Sequence, residues 1–367
     1  MLRADITRRT LIRRAAGLGA LALAPGVLAA CGDDEETAAG GASKATSDWP
    51  PIKSKEVVIA GFGGITYQVR RQILFDEFTD LSGAKVVEAP WDYGKFLAML
   101  DSSRPEWDMI DFDGFSTVGL LDAGSKLAKL EPWVRRCDLV DAEYRDYAAG
   151  SYAYSVVLGW TDKDGDVGSW ADFFDTSRFP GKRAFPKAIY AGTLELALLA
   201  DGVAPDRIYP IDFERAFKKL DTVKDSLLFY DSYGQGQQFI TQGSATMIVT
   251  ANSRAQQLKE QGGFDYTFKD AILYPWGAFP MPAKAPHLDA ANALIDYMSS
   301  PESQAEVARK LHLGPIVSEA FDQLSEEELA QTPNSPAVRD ISFTIDTKAA
   351  AKQDADYAKK YADWVAA

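Results

Sequence analysis

Cysteine and histidine are scarce, with two of each in 367 residues. Two cysteines cannot build a disulfide scaffold, and two histidines leave little material for a zinc site. Basic residues are outnumbered, 39 Lys+Arg against 53 Asp+Glu, for a formal net charge of −14. A pI near 4.7 argues against nucleic-acid binding, because neutralising phosphates takes clustered Lys and Arg. Nucleophile signatures are absent as well. Gly114-Phe115-Ser116-Thr117-Val118-Gly119 has one residue too many after the serine for a nucleophile elbow. Neither His287 nor His312 stands beside a serine or cysteine motif that would use it as a base. What is present is an ordinary globular composition, 46% hydrophobic and 25% charged, which excludes wholesale disorder. The length suits about two domains of roughly 150 residues each.

The N-terminus reverses the acidic trend. Arg3, Arg8, Arg9, Arg13 and Arg14 stand against Asp5 alone, and an apolar stretch, Ala15–Ala30, follows. That stretch is too short for a spanning helix, which needs ~20 residues, and it has the basic-then-apolar order of a signal peptide. It ends Leu28-Ala29-Ala30-Cys31, which resembles the lipobox of bacterial lipoproteins, with Cys31 the lipidated residue. Thr7-Arg8-Arg9-Thr10-Leu11-Ile12-Arg13 resembles a twin-arginine export motif. Residues 1–30 are therefore read as an export signal, and the small, polar, acidic residues 31–54 as a flexible tether that holds the chain near a membrane. With Cys31 acylated, Cys137 has no partner for a disulfide.

Strands and helices alternate from Glu56 onward. Val57–Ala60 is a short apolar run of the kind buried on both sheet faces. Gly61-Phe62-Gly63-Gly64 turns it into a helix over Thr66–Ser82 that Gly83 is placed to stop. Strands at Lys85–Glu88 and Trp107–Phe112 and helices at Tyr93–Asp101 and Phe115–Asp122 complete a first α/β region with βαβ units and a mostly parallel sheet. A second runs from Ser169 to Asp270, with helices near Trp170–Asp175, Leu194–Asp201, Asp212–Leu220 and Gly236–Gln242 and strands near Leu227–Tyr230 and Thr246–Thr250. Breaks fall at Thr161–Gly168 and at Pro280-Met281-Pro282, and helices dominate afterwards.

Three local patterns bear on chemistry. The turn Gly61-Phe62-Gly63-Gly64-Ile65-Thr66 sits where a dinucleotide fingerprint would, but Thr66 occupies the position that asks for glycine. What survives is a glycine turn whose backbone N–H groups can face a ligand. Asp162-Lys163-Asp164-Gly165-Asp166 opens like a calcium loop, yet Val167 and Phe173 stand where glycine and glutamate are required, so it reads as a solvated turn. Trp91, Phe115, Trp160, Tyr233, Tyr274 and Trp276 fall at strand ends or just after them, where open α/β sheets bind ligands between aromatic walls.

At this point the residues resemble a known family. The lipobox signal, then Gly63-Gly64 before a helix ending Phe78-Thr79-Asp80-Leu81-Ser82-Gly83, is similar to the opening of bacterial extracellular solute-binding proteins. Ser169-Trp170-Ala171-Asp172-Phe173-Phe174-Asp175, Phe179-Pro180-Gly181-Lys182-Arg183, Tyr209-Pro210-Ile211-Asp212 and Ser300-Pro301-Glu302-Ser303-Gln304 resemble the polyamine (spermidine/putrescine) branch. The resemblance implies a two-lobed α/β fold of the periplasmic-binding-protein type (type II), with a hinge of crossing strands and an interlobe cleft. Its implied role is non-enzymatic: a monomer that captures a small solute without a cofactor and delivers it to an ABC permease. The lobes are expected at 55–155 plus 276–312 and at 160–272 plus 313–367. The implied ligand contacts are Gly63, Gly64, Tyr67, Trp91, Asp113, Phe115, Trp160, Thr193, Tyr233, Asn252, Arg254 and Trp276. Acids that clamp polyamine ammonium groups are missing near Gly64 and Tyr190-Ala191-Gly192-Thr193, and Gly277 stands where another is expected. Arg254 supplies a cation in their place, which favours a carboxylate-bearing solute. The alternative from another class is an exported, cofactor-dependent oxidoreductase.

Overall fold

Alternate residues of the first strand decide how the N-terminal half packs. In β1 (Glu56–Gly61), Val57 and Ile59 enter one hydrophobic cluster while Val58 and Ala60 face another on the opposite side. A strand buried on both faces belongs in a parallel sheet covered by helices. The computed structural model, which describes residues 48–162, 165, 167–187 and 192–367, has β1 between β2 (Lys85–Pro90) and β3 (Met109–Ile110), all parallel. Cys31, the Arg8-Arg9 motif, most of the tether, Lys163, Asp164, Asp166, Tyr190 and Ala191 lie outside the described residues.

The glycine turn starts a helical run from Gly64 to Ser82 with a π-type turn at Arg71–Phe75. Gly83 ends it with φ 71°, its N–H donating to the Thr79 carbonyl at 2.9 Å, the left-handed stop that the spacing predicts. Leu74, Phe75 and Phe78 of this run pack with Ala290, Leu294 and Ile295 from a helix at Leu288–Met298, so distant segments share one core. Leu313, Ile316, Val317, Ala320 and Leu324, expected in the second lobe, pack in this same first core.

The second lobe is built on a six-stranded mixed sheet ordered β11-β9-β5-β8-β6-β7. Its strands are β5 (Tyr154–Thr161), β6 (Arg183–Pro186), β7 (Leu227–Tyr230), β8 (Met247–Ala251), β9 (Phe264–Tyr274) and β11 (Phe343–Thr344). Face alternation repeats here: Met247 and Val249 enter one cluster and Ile248 the other. The C-terminal helix Thr347–Ala366 is capped by Asp346, which accepts from Lys348 N and Ala349 N. It buries Tyr357, Tyr361 and Trp364 in the second core and lies against the first-lobe helix Gly114–Asp122.

Two antiparallel segments connect the lobes. The chain leaves the first lobe through Ser151–Ala153 into β5, and returns from β9 into the short β10 (Gly277–Ala278). Tyr154 pairs with Tyr274 where they cross, and β10 pairs with β4 (Phe112–Asp113), Gly277 opposite Asp113. These crossing strands form the hinge, and they bring the end of β4 to the mouth of the gap between the lobes.

Candidate functional site

Asp111 organises the first-lobe wall. Its carboxylate accepts from Arg70 Nη1 at 3.0 Å, Tyr67 Oη at 3.1 Å and Ser151 Oγ at 3.4 Å. Arg70 and Asp111 are almost wholly buried, and the guanidinium lies 4.5 Å from the Tyr152 ring centroid. Burial raises the Asp111 carboxyl pKa, with Arg70 opposing. A buried pair of this kind is weak evidence for stability, but it fixes geometry. Here it locks the glycine-turn helix to the strand end and to the hinge.

Two residues further on, the half-buried Asp113 pairs with no cation among the described residues. Burial pushes its carboxyl up to about 7; the hydrogen bond from Tyr154 lowers it, and the Asp111 and Asp354 charges raise it further. Behind it Tyr154 stacks on Tyr274 at 4.6 Å and 2°, and Phe115 lies 6.0 Å from Tyr274. These rings form an aromatic floor at the hinge.

The facing wall comes from the second lobe. Arg254, in the first turn of the helix Asn252–Glu260, crosses the gap to donate from Nη2 to Thr66 Oγ1 at 3.3 Å. Its Nη1 donates to Gln257 at 3.3 Å, and its Cζ lies 6.0 Å from the Tyr233 ring. Among the described residues Arg254 pairs with no carboxylate, and burial lowers its pKa by disfavouring an uncompensated cation. Tyr233 feels both charges: burial raises its hydroxyl pKa, Asp113 adds to the rise, and Arg254 opposes it. One tyrosine thus feels both an acid and a guanidinium that have no charged partner among the described residues.

The other expected contacts take varied places. Gly63 and Gly64 both hold φ 65°, Gly63 as the N-cap of the turn, and Tyr67 lies beneath them, almost fully buried. Trp91 borders the same turn and donates from Nε1 to the Asp111 carbonyl at 3.0 Å. Asn252 is fully buried and spent on the hinge, accepting from Ser155 N at 3.0 Å and donating to the His312 carbonyl at 2.5 Å. Thr193 is buried against the Tyr357 hydroxyl at 3.1 Å. Trp276 packs in the first core with Nε1 on Asp141 at 3.2 Å. Trp160 lies six residues along β5 from Tyr154, roughly 20 Å at 3.3 Å per residue, and packs on the second core. Sequence reading passed over Tyr152, Tyr154, Arg70 and Asp111. The two tyrosines had a signal, since residues two apart in an extended segment face one way.

Gly277 explains a missing acid by space. A Cβ there would lie 2.7 Å from Ser151 Oγ and 2.8 Å from the Phe112 carbonyl oxygen, closer than real contacts allow. Gly277→Asp is therefore expected to lower stability by about 1–3 kcal/mol through overpacking, and to create no affinity for putrescine. Thermal unfolding and calorimetry on the variant check both parts; an unchanged melting temperature would contradict the steric account.

Comparisons with known proteins agree with the two-lobed fold. The family model described as bacterial extracellular solute-binding protein matches residues 74–337. A gamma-aminobutyric acid-binding protein of Pseudomonas aeruginosa is 25% identical over 330 residues, covering 86% of this chain and 92% of the relative. Among solved structures, a GABA receptor shares 28% identity at a TM-score of 0.75, covering 84% of this chain and 97% of its own. An ABC transporter substrate-binding protein from Bradyrhizobium japonicum USDA 110 shares 26% at 0.77, covering 85% and 99%. These relatives are solute-binding receptors and not enzymes, so the oxidoreductase alternative has no support. The chain belongs to the bacterial extracellular solute-binding protein family, as an exported, two-lobed substrate-binding protein that takes up a small solute for an ABC transporter.

Proposed function

We propose that the solute is a small zwitterion, an ω-amino acid of the gamma-aminobutyric acid class. Its carboxylate sits on Arg254 and its ammonium on Asp113, with Tyr233, Tyr154 and Phe115 around the carbon chain. The observation that carries this is a pair of charges without partners among the described residues: the Arg254 guanidinium, 6.0 Å from the Tyr233 ring and without an acid, and the half-buried Asp113 carboxyl, without a cation, both felt by Tyr233. A zwitterion supplies the missing counter-ion to each. The relatives named for gamma-aminobutyric acid support the same class. A diamine of the polyamine type has no use for Arg254 and would place an ammonium group beside it.

Delivery follows from population shift. A solute touching Arg254 on one lobe and Asp113 on the other favours the closed arrangement, and the permease reads that state. The same proposal has the protein exported by the twin-arginine route, acylated on Cys31 and tethered as a monomer through residues 31–54, on the strength of those motifs.

Isothermal titration decides the class. 4-Aminobutyrate is expected to bind at micromolar affinity or better, while butylamine and butyrate, each lacking one charge, bind far more weakly. Micromolar binding of putrescine or spermidine with none of 4-aminobutyrate would overturn the reading.

A further inference from the structure

Among the described residues Phe62 is the most exposed large apolar side chain, at 62%, ahead of Leu81, Ile65, Tyr93 and Leu97 of the same lobe. It directly follows β1, and its ring stacks on Trp91 at 5.0 Å and 19°. Tyr93, also exposed, stacks on Trp91 at 6.4 Å and 19°. Trp91 is pinned, with its backbone N–H on the Gly61 carbonyl at 3.1 Å, its indole N–H on the Asp111 carbonyl, and the edge of Phe112 6.0 Å away. A fixed ring thus presents a second ring to solvent, which costs free energy unless something covers it.

Beside this stack is a cavity of about 550 Å³, bounded by Phe62, Trp91, Gly63, Tyr67 and the end of β2 at Glu88–Pro90. That volume is in the range of small-molecule sites. Gly63 leaves its floor open, because a Cβ there would meet no atom within 4 Å. Glu88 is engaged by Arg71 Nη2 at 2.6 Å, so the cavity does not call for a cation. Gly63, Thr66 and Tyr67 belong to one helical turn, and Thr66 is the residue Arg254 reaches. The residue that Arg254 reaches is thus the sequence neighbour of Tyr67, which lines the cavity.

We infer that the solute carries an uncharged flat ring, which lies against Phe62 in this cavity while Arg254 and Asp113 hold its charged ends. The inference rests on the zwitterion reading and extends it: a plain four-carbon amino acid spanning the two charges leaves the cavity empty. Burying a ring against Phe62 removes the apolar exposure and adds an aromatic contact.

The test compares 4-aminobutyrate with 4-amino-3-phenylbutanoate by titration calorimetry on the full chain and on Phe62→Ala. Phe62 is exposed, so truncation leaves the core intact, and far-ultraviolet dichroism verifies the fold. The ring-bearing solute is expected to bind wild type at least about tenfold tighter, and the ratio of the two affinities is expected to collapse toward one in Phe62→Ala. Equal affinities in wild type, or a ratio that survives Phe62→Ala, overturn the inference while 4-aminobutyrate binding still supports the zwitterion reading. If neither solute binds wild type, both proposals fail together.

Discussion

Arg254→Met is expected to weaken 4-aminobutyrate binding about 100-fold. Arg254 donates to two neutral acceptors, Thr66 and Gln257, each at a long 3.3 Å. A carboxylate offers shorter, charge-assisted bonds in the bidentate geometry a guanidinium permits. Hydrogen bonds to charged groups contribute roughly 1.5–3 kcal/mol, and 2.7 kcal/mol corresponds to about two decades in affinity. Arg254→Lys keeps the charge but loses the planar fork, so a loss of about tenfold is expected. Butylamine, which has no carboxylate, should bind both variants as it binds wild type. The empty protein should lose little stability in Arg254→Met, because the side chain has no ion pair to forfeit among the described residues. Calorimetry on the three proteins reads this pattern, and equal losses for butylamine and 4-aminobutyrate would place Arg254 outside the carboxylate site.

The second large effect is on pH. Burial holds the Asp113 carboxyl near pH 7 in the empty protein, with Tyr154 opposing and Asp111 and Asp354 adding. An ammonium ligand needs the ionised form. Affinity is therefore expected to fall as pH drops through 7, approaching tenfold per unit, for a loss of about 50-fold between pH 7 and pH 5. Stability of the empty protein runs the other way. Because the folded pKa is raised above an unfolded value near 3.9, the contribution of this group is fully present below about pH 4. It is lost as pH rises through 7. Binding and stability thus respond in opposite directions over the same window. Asp113→Asn should weaken 4-aminobutyrate binding and flatten both profiles. Calorimetry at pH 8, 7, 6 and 5 with parallel thermal melts provides the check, and a pH-independent affinity in wild type would remove Asp113 from the ammonium site.

Legibility in the sequence followed periodicity. β1, β7 and the helices at Tyr93–Asp101 and Phe213–Asp221 lie close to where apolar spacing puts them. β9, the longest strand, escaped notice for a physical reason. Its register against β5 shifts between Val156 and Leu158, and Asp270 within it has φ 56°. The alternation therefore changes phase midway and reads as irregular. Strand-end position pointed Trp276 and Trp160 to a cleft and the family resemblance pointed Asn252 there, yet hydrogen bonds and packing inside the lobes engage all three.

By itself, the sequence determined the alternation of strands and helices and the glycine turn, both written in local spacing that burial and backbone geometry impose residue by residue. The two-lobed architecture came from the family resemblance, which composition and periodicity alone do not supply. Only the tertiary structure decided which side chains converge. Asp113 and Arg254 lie on different lobes, at the end of β4 and in the first turn of the helix Asn252–Glu260, and the charges of both reach Tyr233. Their lack of counter-ions among the described residues comes from what surrounds each group after folding, a property that no spacing pattern records. The acidity noted at the outset is mostly on solvated surface, and Asp113, half-buried and without a cation among the described residues, is where the proposed ammonium group binds.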